Sequence, residues 1–391
     1  MQFVLLTVIL SFFVHLLLAY NIPGFIPENL FPYRDILYKY HYIYPITEYG
    51  NFDGYQYISI AIYGYGDLQQ SYFPLYPILL RWLNLLVGQA VVSGIIISFI
   101  TMIGGLYFFK KLVVYLTKND SISRWSMLFL VLFPTGYFYH VVYPESLYLF
   151  VSAAGLYFLY KKQWLLAAFF AVLASLTKVQ AALLLIPYFL IPFAVPYDKN
   201  LLQMAKAYLL NMFHKWKLLF IALSPLYGLA VYASYLYQTT GDPLYFYHAQ
   251  SAFGAERSVD TLVLLPQVFY RYIKIFLTAD ISFIYFISVV EFVLYSLVFG
   301  VICFALFTLL RSKKQFDLNQ ISLQLYSLAT LILPTLTGTL TSTPRYMLIS
   351  FGFFIALGHI RHRFIRYAIL VFFIPLHIIL FLFFLRGHFV S

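Results

Sequence analysis

Long apolar runs alternate with short polar segments along almost the whole chain, and this alternation predicts the elements of the fold. A run of about 20 apolar residues is long enough to cross a bilayer as a helix, whose backbone polar groups bond to one another. We therefore predict eleven transmembrane helices in an all-α, polytopic membrane bundle that forms a single domain over residues 1–391. The predicted spans are roughly residues 3–20, 90–112, 124–142, 145–161, 163–178, 180–196, 218–237, 284–310, 321–340, 345–360 and 365–385.

Two segments between the predicted spans are long, residues 21–89 and 238–283, and both are dense in Tyr and Phe. Within the first, residues 55–65 and 74–87 are apolar but too short or too interrupted to span. Aromatic and amphipathic pieces of this kind lie in the plane of the membrane interface. We expect both segments to carry interfacial helices and to contribute an active site.

The composition agrees with a membrane protein and excludes several other classes. Hydrophobic residues make up 62% of the chain and charged residues 10%, against about 45–50% and about 25% in soluble domains. The formal charge of +11 comes from Lys and Arg scattered among helix ends with no basic stripe, so nucleic acid is not a predicted partner. The single cysteine, Cys303, provides neither an intramolecular disulfide nor a cysteine-based metal site.

Basic residues are concentrated in one set of loops. If the N-terminus is cytoplasmic, 16 of the 25 Lys and Arg residues fall in five short connections on that side, which is the positive-inside pattern. These are Lys110, Lys111, Lys118, Arg124, Lys161, Lys162, Lys199, Lys206, Lys215, Lys217, Arg311, Lys313, Lys314, Arg361, Arg363 and Arg366. The two long segments then face the outside of a prokaryotic cell membrane or the lumen of a eukaryotic endoplasmic reticulum.

Asp53 stands where a loop enters the apolar, periodic segment that begins near Tyr57. Asp before a helix commonly accepts backbone N–H bonds as an N-cap. A carboxylate held at the membrane surface also suits a general base that takes a proton from an acceptor hydroxyl. Sequence position leaves both interpretations open.

Three further motifs place charges at predicted outer helix ends. Glu145, in Tyr-Pro-Glu-Ser, is either a dipole partner in a first helical turn or a ligand for sugar hydroxyls. Lys178 and Gln180, in Thr-Lys-Val-Gln, occupy a turn between apolar helices, where the ammonium needs a counter-ion such as a phosphate. Arg345, in Ser-Thr-Pro-Arg-Tyr, either binds phosphate or snorkels to the membrane surface.

Weaker candidates lie in the two long segments. Tyr72 precedes two prolines, Pro74 and Pro77, which direct the chain into a helix. Thr240-Gly241-Asp242-Pro243 is a turn by composition, and His248 and Arg257 follow it. There is no His-Glu-x-x-His run, phosphate-binding loop or Gly-rich dinucleotide motif, so we predict neither a metal site nor a nucleotide cofactor.

Taken in order, these motifs resemble the PIG-V family, the mannosyltransferases that add the second mannose of GPI precursors, and its prokaryotic relatives. The resemblance runs the length of the chain. It rests on Phe52-Asp53, Phe73-Pro74-Leu75-Tyr76-Pro77, Tyr143-Pro144-Glu145, Thr177-Lys178, Thr240-Gly241-Asp242-Pro243 and Pro344-Arg345-Tyr346. It implies a C-type glycosyltransferase fold that takes a sugar from a polyprenyl-phosphate carrier on the non-cytoplasmic side.

The chain departs from the family pattern at two positions. The family usually has Trp-Asp where this chain has Phe52-Asp53, so the indole N–H is lost while the ring is kept. It usually has Thr-Arg where this chain has Thr177-Lys178, and Lys lacks the two-pronged grip of Arg on phosphate. Glycosyl transfer is therefore better supported than mannose as the sugar.

We predict inverting transfer of a hexose, with mannose implied by the resemblance, from a polyprenyl-phosphate donor to a membrane-associated glycolipid, glycan or protein. Asp53 is the predicted base, and Lys178 and Arg345 are expected to converge on the leaving phosphate around one cavity. The candidates for binding sugar or acceptor are Tyr72, Glu145, Gln180, Asp242, His248 and Arg257.

The alternative functions are a lipid or sugar-lipid transporter and a non-enzymatic scaffold. A transporter would need polar groups in the middle of several helices, where Glu291 is the clear example.

Overall fold

The computed structural model of the protein describes residues 1–31, 33–39, 43–196, 201–249, 263–311 and 317–390. Within these ranges the regular secondary structure is helical, so the prediction of an all-helical protein is confirmed. The first helices are α1 Gln2–Tyr20, α2 Arg34–Lys39, α3 Asp53–Tyr63, α4 Leu75–Val87, α5 Ala90–Thr117, α6 Asp120–Val131, α7 Glu145–Tyr160, α8 Trp164–Thr177 and α9 Leu185–Leu190. The later helices are α10 Leu201–His214, α11 Leu218–Ala222, α12 Ser224–Thr240, α13 Tyr245–His248, α14 Leu265–Thr278, α15 Phe283–Arg311, α16 Leu318–Thr335, α17 Thr343–Tyr346, α18 Phe351–Gly358 and α19 Arg363–Leu385.

Four helices of the described chain, α1, α5, α15 and α19, are long and apolar enough to cross a membrane. With the composition, they identify an integral membrane protein. The predicted number of eleven spans is not confirmed, because most of the other apolar runs form shorter helices. The run at 124–142, for example, stops being α-helical at Val131 and continues through a 3₁₀ turn at Gly136–Tyr139.

Hydropathy alone misses such breaks, because irregular backbone is tolerated at membrane depth when neighbouring protein groups bond to it. Two bonds illustrate this around the 3₁₀ turn. Thr135 Oγ1 donates to the carbonyl of Pro344 at 2.7 Å, and the Tyr139 hydroxyl donates to the carbonyl of Leu348 at 3.0 Å. The same bonds tie the break after α6 to the segment that carries Arg345.

Helix α7 packs closely against α5, and this contact fixes the position of Glu145. A Cβ at Gly104 or Gly105 of α5 would lie 2.8 Å from the side chain of Phe150 or Leu149. Only glycine leaves room for this approach, as in other membrane helix pairs. Near the start of α7, Thr101 Oγ1 donates to Ser146 Oγ at 2.9 Å.

The end of α19 closes over the segment that precedes α3. The Asn51 side-chain amide donates to the carbonyls of Phe384 at 3.0 Å and Leu385 at 3.2 Å. The Asn29 N–H donates to the carbonyl of Arg386 at 2.8 Å. Asn51, two residues before α3, is therefore held by the last long helix of the described chain.

Glu291, the carboxylate inside a predicted span, lies in α15 and is 3% exposed. The hydroxyl of Tyr272 on α14 donates to Glu291 Oε2 at 2.7 Å. A buried carboxylate needs such a partner because burial without one is costly. Glu291 thus joins α14 to α15.

Candidate active site

Asp53 is the first residue of α3 and not its N-cap, since the N-cap position belongs to Phe52 and no side-chain capping bond is made there. The Asp53 carboxylate instead faces a cavity. Its Oδ2 accepts from Arg345 Nη1 at 2.5 Å, and its Oδ1 accepts from the Tyr72 hydroxyl at 3.1 Å. The capping interpretation is therefore wrong, and the carboxylate faces the cavity from the N-terminal end of α3.

The backbone at Asp53 is held in an unusual conformation. Phe52 has φ 56° and ψ −117°, which a bulky residue adopts at a cost of about 1–3 kcal/mol. The Tyr143 hydroxyl accepts from the Asp53 N–H at 3.1 Å and donates to the carbonyl of Asn51 at 3.2 Å. One phenol therefore bridges both sides of the strained residue and fixes the direction of the carboxylate.

Arg345 lies on the short helix α17, and its guanidinium is surrounded by rings. The ring centroids of Phe138, Tyr143 and Tyr346 lie 5.5, 5.5 and 5.7 Å from its Cζ atom. Cation–π attraction acts within about 6 Å of a ring centroid. Burial alone would lower the pKa of Arg345, but the charges of Asp53 and Glu145 outweigh burial and raise it, so the guanidinium stays protonated.

Glu145, the first residue of α7, joins the two cations. It is 1% exposed, and its Oε1 accepts from Lys178 Nζ at 2.6 Å. Arg345 Nε lies 3.5 Å from the same oxygen, close enough for charge attraction but too far for a good hydrogen bond. Lys178, Glu145, Arg345 and Asp53 thus form a chain of alternating charges in which each buried charge has an opposite neighbour.

The chain of charges lies at the wall of a cavity of about 380 Å³. Asp53, Lys178 and Arg345 line the cavity, together with Tyr72 and Gln180. Aromatic rings make up much of the remaining wall, namely Phe31, Tyr33, Phe52, Tyr57, Phe73, Tyr346 and Phe389. A largely apolar cavity with a few converging polar groups is typical of a ligand site, and its volume falls in the usual range of roughly 300–1,000 Å³.

Tyr72 keeps its proton in this environment. Burial raises the pKa of its phenol, and the nearby charge of Asp53 raises it further. The hydroxyl therefore acts as a hydrogen-bond donor to the carboxylate.

Three predicted site residues, Glu145, Asp242 and His248, are not among the described residues that line the cavity. Glu145 lies behind the two cations and is not among the described residues that line the wall. Asp242 and His248 form an exposed pair in which His248 Nδ1 lies 2.6 Å from Asp242 Oδ2, and the bonds from His248 and from the Leu244 N–H lower the pKa of Asp242. Arg257 lies outside the described residues.

Two residues of the site were not predicted from the sequence. Tyr143 belongs to the motif that contains Glu145, and its hydroxyl positions Asp53. Gln56 lines the cavity one helical turn after Asp53, and the i, i+3 spacing on α3 is the signal that would have found it. Across the described ranges, no group of three or more His, Cys, Asp or Glu side chains is arranged to hold a metal ion.

No protein-family model matches the sequence, and no curated protein matches it either. The solved structures that align with it include two of the Archaeoglobus fulgidus oligosaccharyltransferase. The one in complex with zinc and sulfate aligns with a TM-score of 0.45 and 11% identity, over 97% of this chain and 53% of that chain. The apo form aligns with a TM-score of 0.46 and 10% identity, over 98% and 56%. The chain thus spans about half the length of these structures, and a likeness at this level assigns it neither a family nor an activity.

Proposed function

We propose that the protein is a membrane glycosyltransferase of the C type that moves a hexose from a polyprenyl-phosphate carrier to a hydroxyl of a membrane-associated acceptor. The observation that carries the proposal is the chain of alternating charges Lys178, Glu145, Arg345 and Asp53. Its two cations and Asp53 line one cavity, and Glu145 lies behind the cations. The two cations supply what a leaving phosphate needs, and the carboxylate supplies a base for the hydroxyl. The PIG-V resemblance suggests mannose as the sugar.

The proposed reaction is a single displacement with inversion at the anomeric carbon. The acceptor oxygen forms a bond to that carbon while the bond from the carbon to the phosphate oxygen breaks. The acceptor proton moves to Asp53, and the bonding electron pair leaves with the phosphate. Lys178 and Arg345 stabilise the negative charge that develops on the phosphate. This electrostatic stabilisation is strongest where water is largely excluded.

The ion pair between Arg345 and Asp53 couples donor binding to the state of the base. The Arg345 guanidinium occupies Asp53 Oδ2 at 2.5 Å and the Tyr72 hydroxyl bonds to Oδ1 at 3.1 Å, so both carboxylate oxygens are engaged before the donor binds. A donor phosphate competes for the same guanidinium and draws it away from Asp53. We therefore expect the base to become effective only once the donor is bound.

The test uses the protein in lipid nanodiscs with radiolabelled polyprenyl-phosphate mannose and octyl α-mannoside as acceptor. Lys178→Gln should raise the donor KM roughly 10- to 100-fold, because the charge-assisted hydrogen bond from Lys178 to the donor phosphate is lost. Lys178→Arg keeps the charge and should retain most of the activity. Lys206→Gln, an exposed lysine on α10, is the matched control. Movement of the carrier lipid across proteoliposomes without sugar transfer would overturn the proposal in favour of the transporter.

We also propose that the cavity opens away from the cytoplasm, as the distribution of Lys and Arg predicts. Reporter fusions after Lys118 and Lys162 should then report the cytoplasm, and a fusion near Asp67 should report the opposite side. A reporter near Asp67 that reads as cytoplasmic would contradict this orientation.

A further inference from the structure

A second cavity, of about 360 Å³, adjoins the first and shares two wall residues with it, Tyr33 and Gln56. Its other walls come from α3 and from the turn that follows α3, at residues 64–69. The two cavities therefore meet at Tyr33 and Gln56, and Gln56 lies one helical turn after Asp53. A ligand that reaches Asp53 from the second cavity passes Gln56.

Polar side chains on one side of α3 lead from Asp53 into the second cavity. Gln56 and Ser59 follow Asp53 at intervals of three residues, so the three side chains lie near one another along the helix. Gln56 lines both cavities and Ser59 the second alone. At 1.5 Å per residue, Ser59 lies about 9 Å along the helix axis from Asp53.

The turn after α3 fixes the orientation of Gln56. Gly64 and Leu68 both have positive φ, 87° and 64°, which folds the turn back toward the helix. Gln69 accepts from the Gly66 N–H at 2.8 Å, and its amide group donates to Gln56 Oε1 at 2.7 Å. Because its oxygen is bonded in this way, Gln56 presents its NH₂ group as the remaining donor.

The chemistry of the second cavity differs from that of the first. The rings of Tyr33 and Tyr55 stack, with centroids 5.1 Å apart and planes 7° from parallel. Among the described residues that line this cavity, Asp67 carries the one charge and no Lys or Arg is present. The described lining residues therefore offer no cationic side chain to a phosphate. Flat phenol faces, side-chain amides, a hydroxyl and a carboxylate suit a neutral ring that bears many hydroxyl groups.

We propose that the second cavity binds the carbohydrate part of the acceptor, as a neutral pyranose that contacts the phenols of Tyr33 and Tyr55 and hydrogen-bonds to Gln56, Ser59 and Asp67. This inference rests on the proposed glycosyl transfer and specifies its acceptor as a glycan or glycolipid sugar. The sugar in the second cavity would present a hydroxyl toward Asp53. The donor phosphate would occupy the first cavity, beside Lys178 and Arg345.

The test measures binding of octyl α-mannoside and octyl β-glucoside, below their micellar concentrations, to the full chain in lipid nanodiscs by saturation-transfer NMR. Tyr55→Ala and Asp67→Asn should each weaken saturable binding roughly fivefold or more, because a ring contact or a charge-assisted hydrogen bond is lost. Tyr55→Phe keeps the ring and should bind like the natural protein. Tyr237→Ala, which removes an exposed phenol that lines neither cavity, is the matched control.

A parallel assay follows the slow release of mannose from polyprenyl-phosphate mannose to water, which needs the donor site alone. Lys178→Gln should slow this release, and the control Tyr237→Ala should leave it unchanged. Glycoside binding that is lost in Lys178→Gln but kept in Tyr55→Ala would place the sugar in the first cavity and overturn the inference. Absence of glycoside binding with intact donor cleavage would also overturn it, while leaving the proposed function standing. Binding without any donor cleavage would support a carbohydrate site and overturn the proposed function.

Discussion

The two cavities share a wall but hold their charges differently. In the first, Asp53, Lys178 and Arg345 are fixed in a chain of opposite charges that continues to the buried Glu145. In the second, Asp67 is the one charged residue among the described lining residues and is exposed to solvent. A fixed set of charges stabilises charge that develops during a reaction, because no reorganisation is needed at that moment. A wall of rings and amides orients a neutral molecule, so changes in the two cavities should affect different steps.

The largest effect is expected for Asp53→Asn in the first cavity. Asn keeps the shape of the side chain but cannot accept a proton, so the transfer rate should fall on the order of 10² to 10⁴-fold. The measurement is sugar transfer from polyprenyl-phosphate mannose, with the thermal unfolding midpoint as a check on folding. Glycoside binding in the second cavity should remain. Transfer at the natural rate would exclude Asp53 as the base.

A loss of stability is expected for Glu145→Gln, which leaves the Lys178 ammonium and the Arg345 guanidinium without the carboxylate between them. Removing one partner of a buried ion pair costs about 3–5 kcal/mol. Polyprenyl phosphate should raise the unfolding midpoint more in this variant than in the natural protein, because its phosphate replaces the lost charge. An equal rise in both proteins would contradict the proposed phosphate site.

The control for that experiment is Asp120→Asn. The Asp120 side chain is half-exposed and pairs with Lys110 at 3.0 Å and with Arg124 at 3.4 Å. Exposed ion pairs contribute roughly 0–1 kcal/mol, so the free energy of unfolding should change little.

A smaller effect is expected for Tyr143→Phe. The ring that faces Arg345 is kept, but the hydroxyl that bridges Asp53 and Asn51 is lost. A net contribution of about 1 kcal/mol for each of the two hydrogen bonds predicts a fall in kcat of up to roughly 30-fold. The KM values for donor and acceptor should not change. A rise in the donor KM alone would show that Tyr143 acts on the phosphate site.

The smallest effect is expected for Asp242→Asn, which removes the exposed pair with His248. Because this pair lines neither cavity, the transfer rate should change less than about twofold. A larger loss would show that the segment at residues 242–248 takes part in binding. That segment contacts the site indirectly, since Ser71 Oγ donates to the carbonyl of Phe246 at 3.0 Å.

Hydropathy correctly predicts the helices of the fold that consist of one long, uniformly apolar run. The predicted spans at 90–112 and 284–310 correspond to α5 and α15, which begin within a residue of the predicted positions. The run at 180–196 was not predictable in the same way. It forms a 3₁₀ segment and the short helix α9, because hydropathy measures burial in lipid or protein but not the local backbone path.

The charged residues of the site and their convergence on one cavity were predictable from the sequence, but the bonds between them were not. Asp53, Lys178 and Arg345 were each marked by a charge at a predicted helix end, and the structure brings all three to one cavity. Their proposed roles stay predictions. The bridging position of Glu145 was not foreseen, because its bond to Lys178 joins residues 33 positions apart across two helices. Local patterns carry no information on such a contact.

The bond from Asn51 to the carbonyl of Phe384 spans 333 positions of the chain. Phe389 contributes to the wall of the first cavity from the same distant region. At about 5–20 residues per second, a ribosome needs roughly 17 to 67 s to travel from the first of these partners to the second. During that interval the segment around Asp53 is already translated but lacks its closing wall. A nascent chain of this protein therefore carries an aromatic-rich surface without its closing wall until α19 is made.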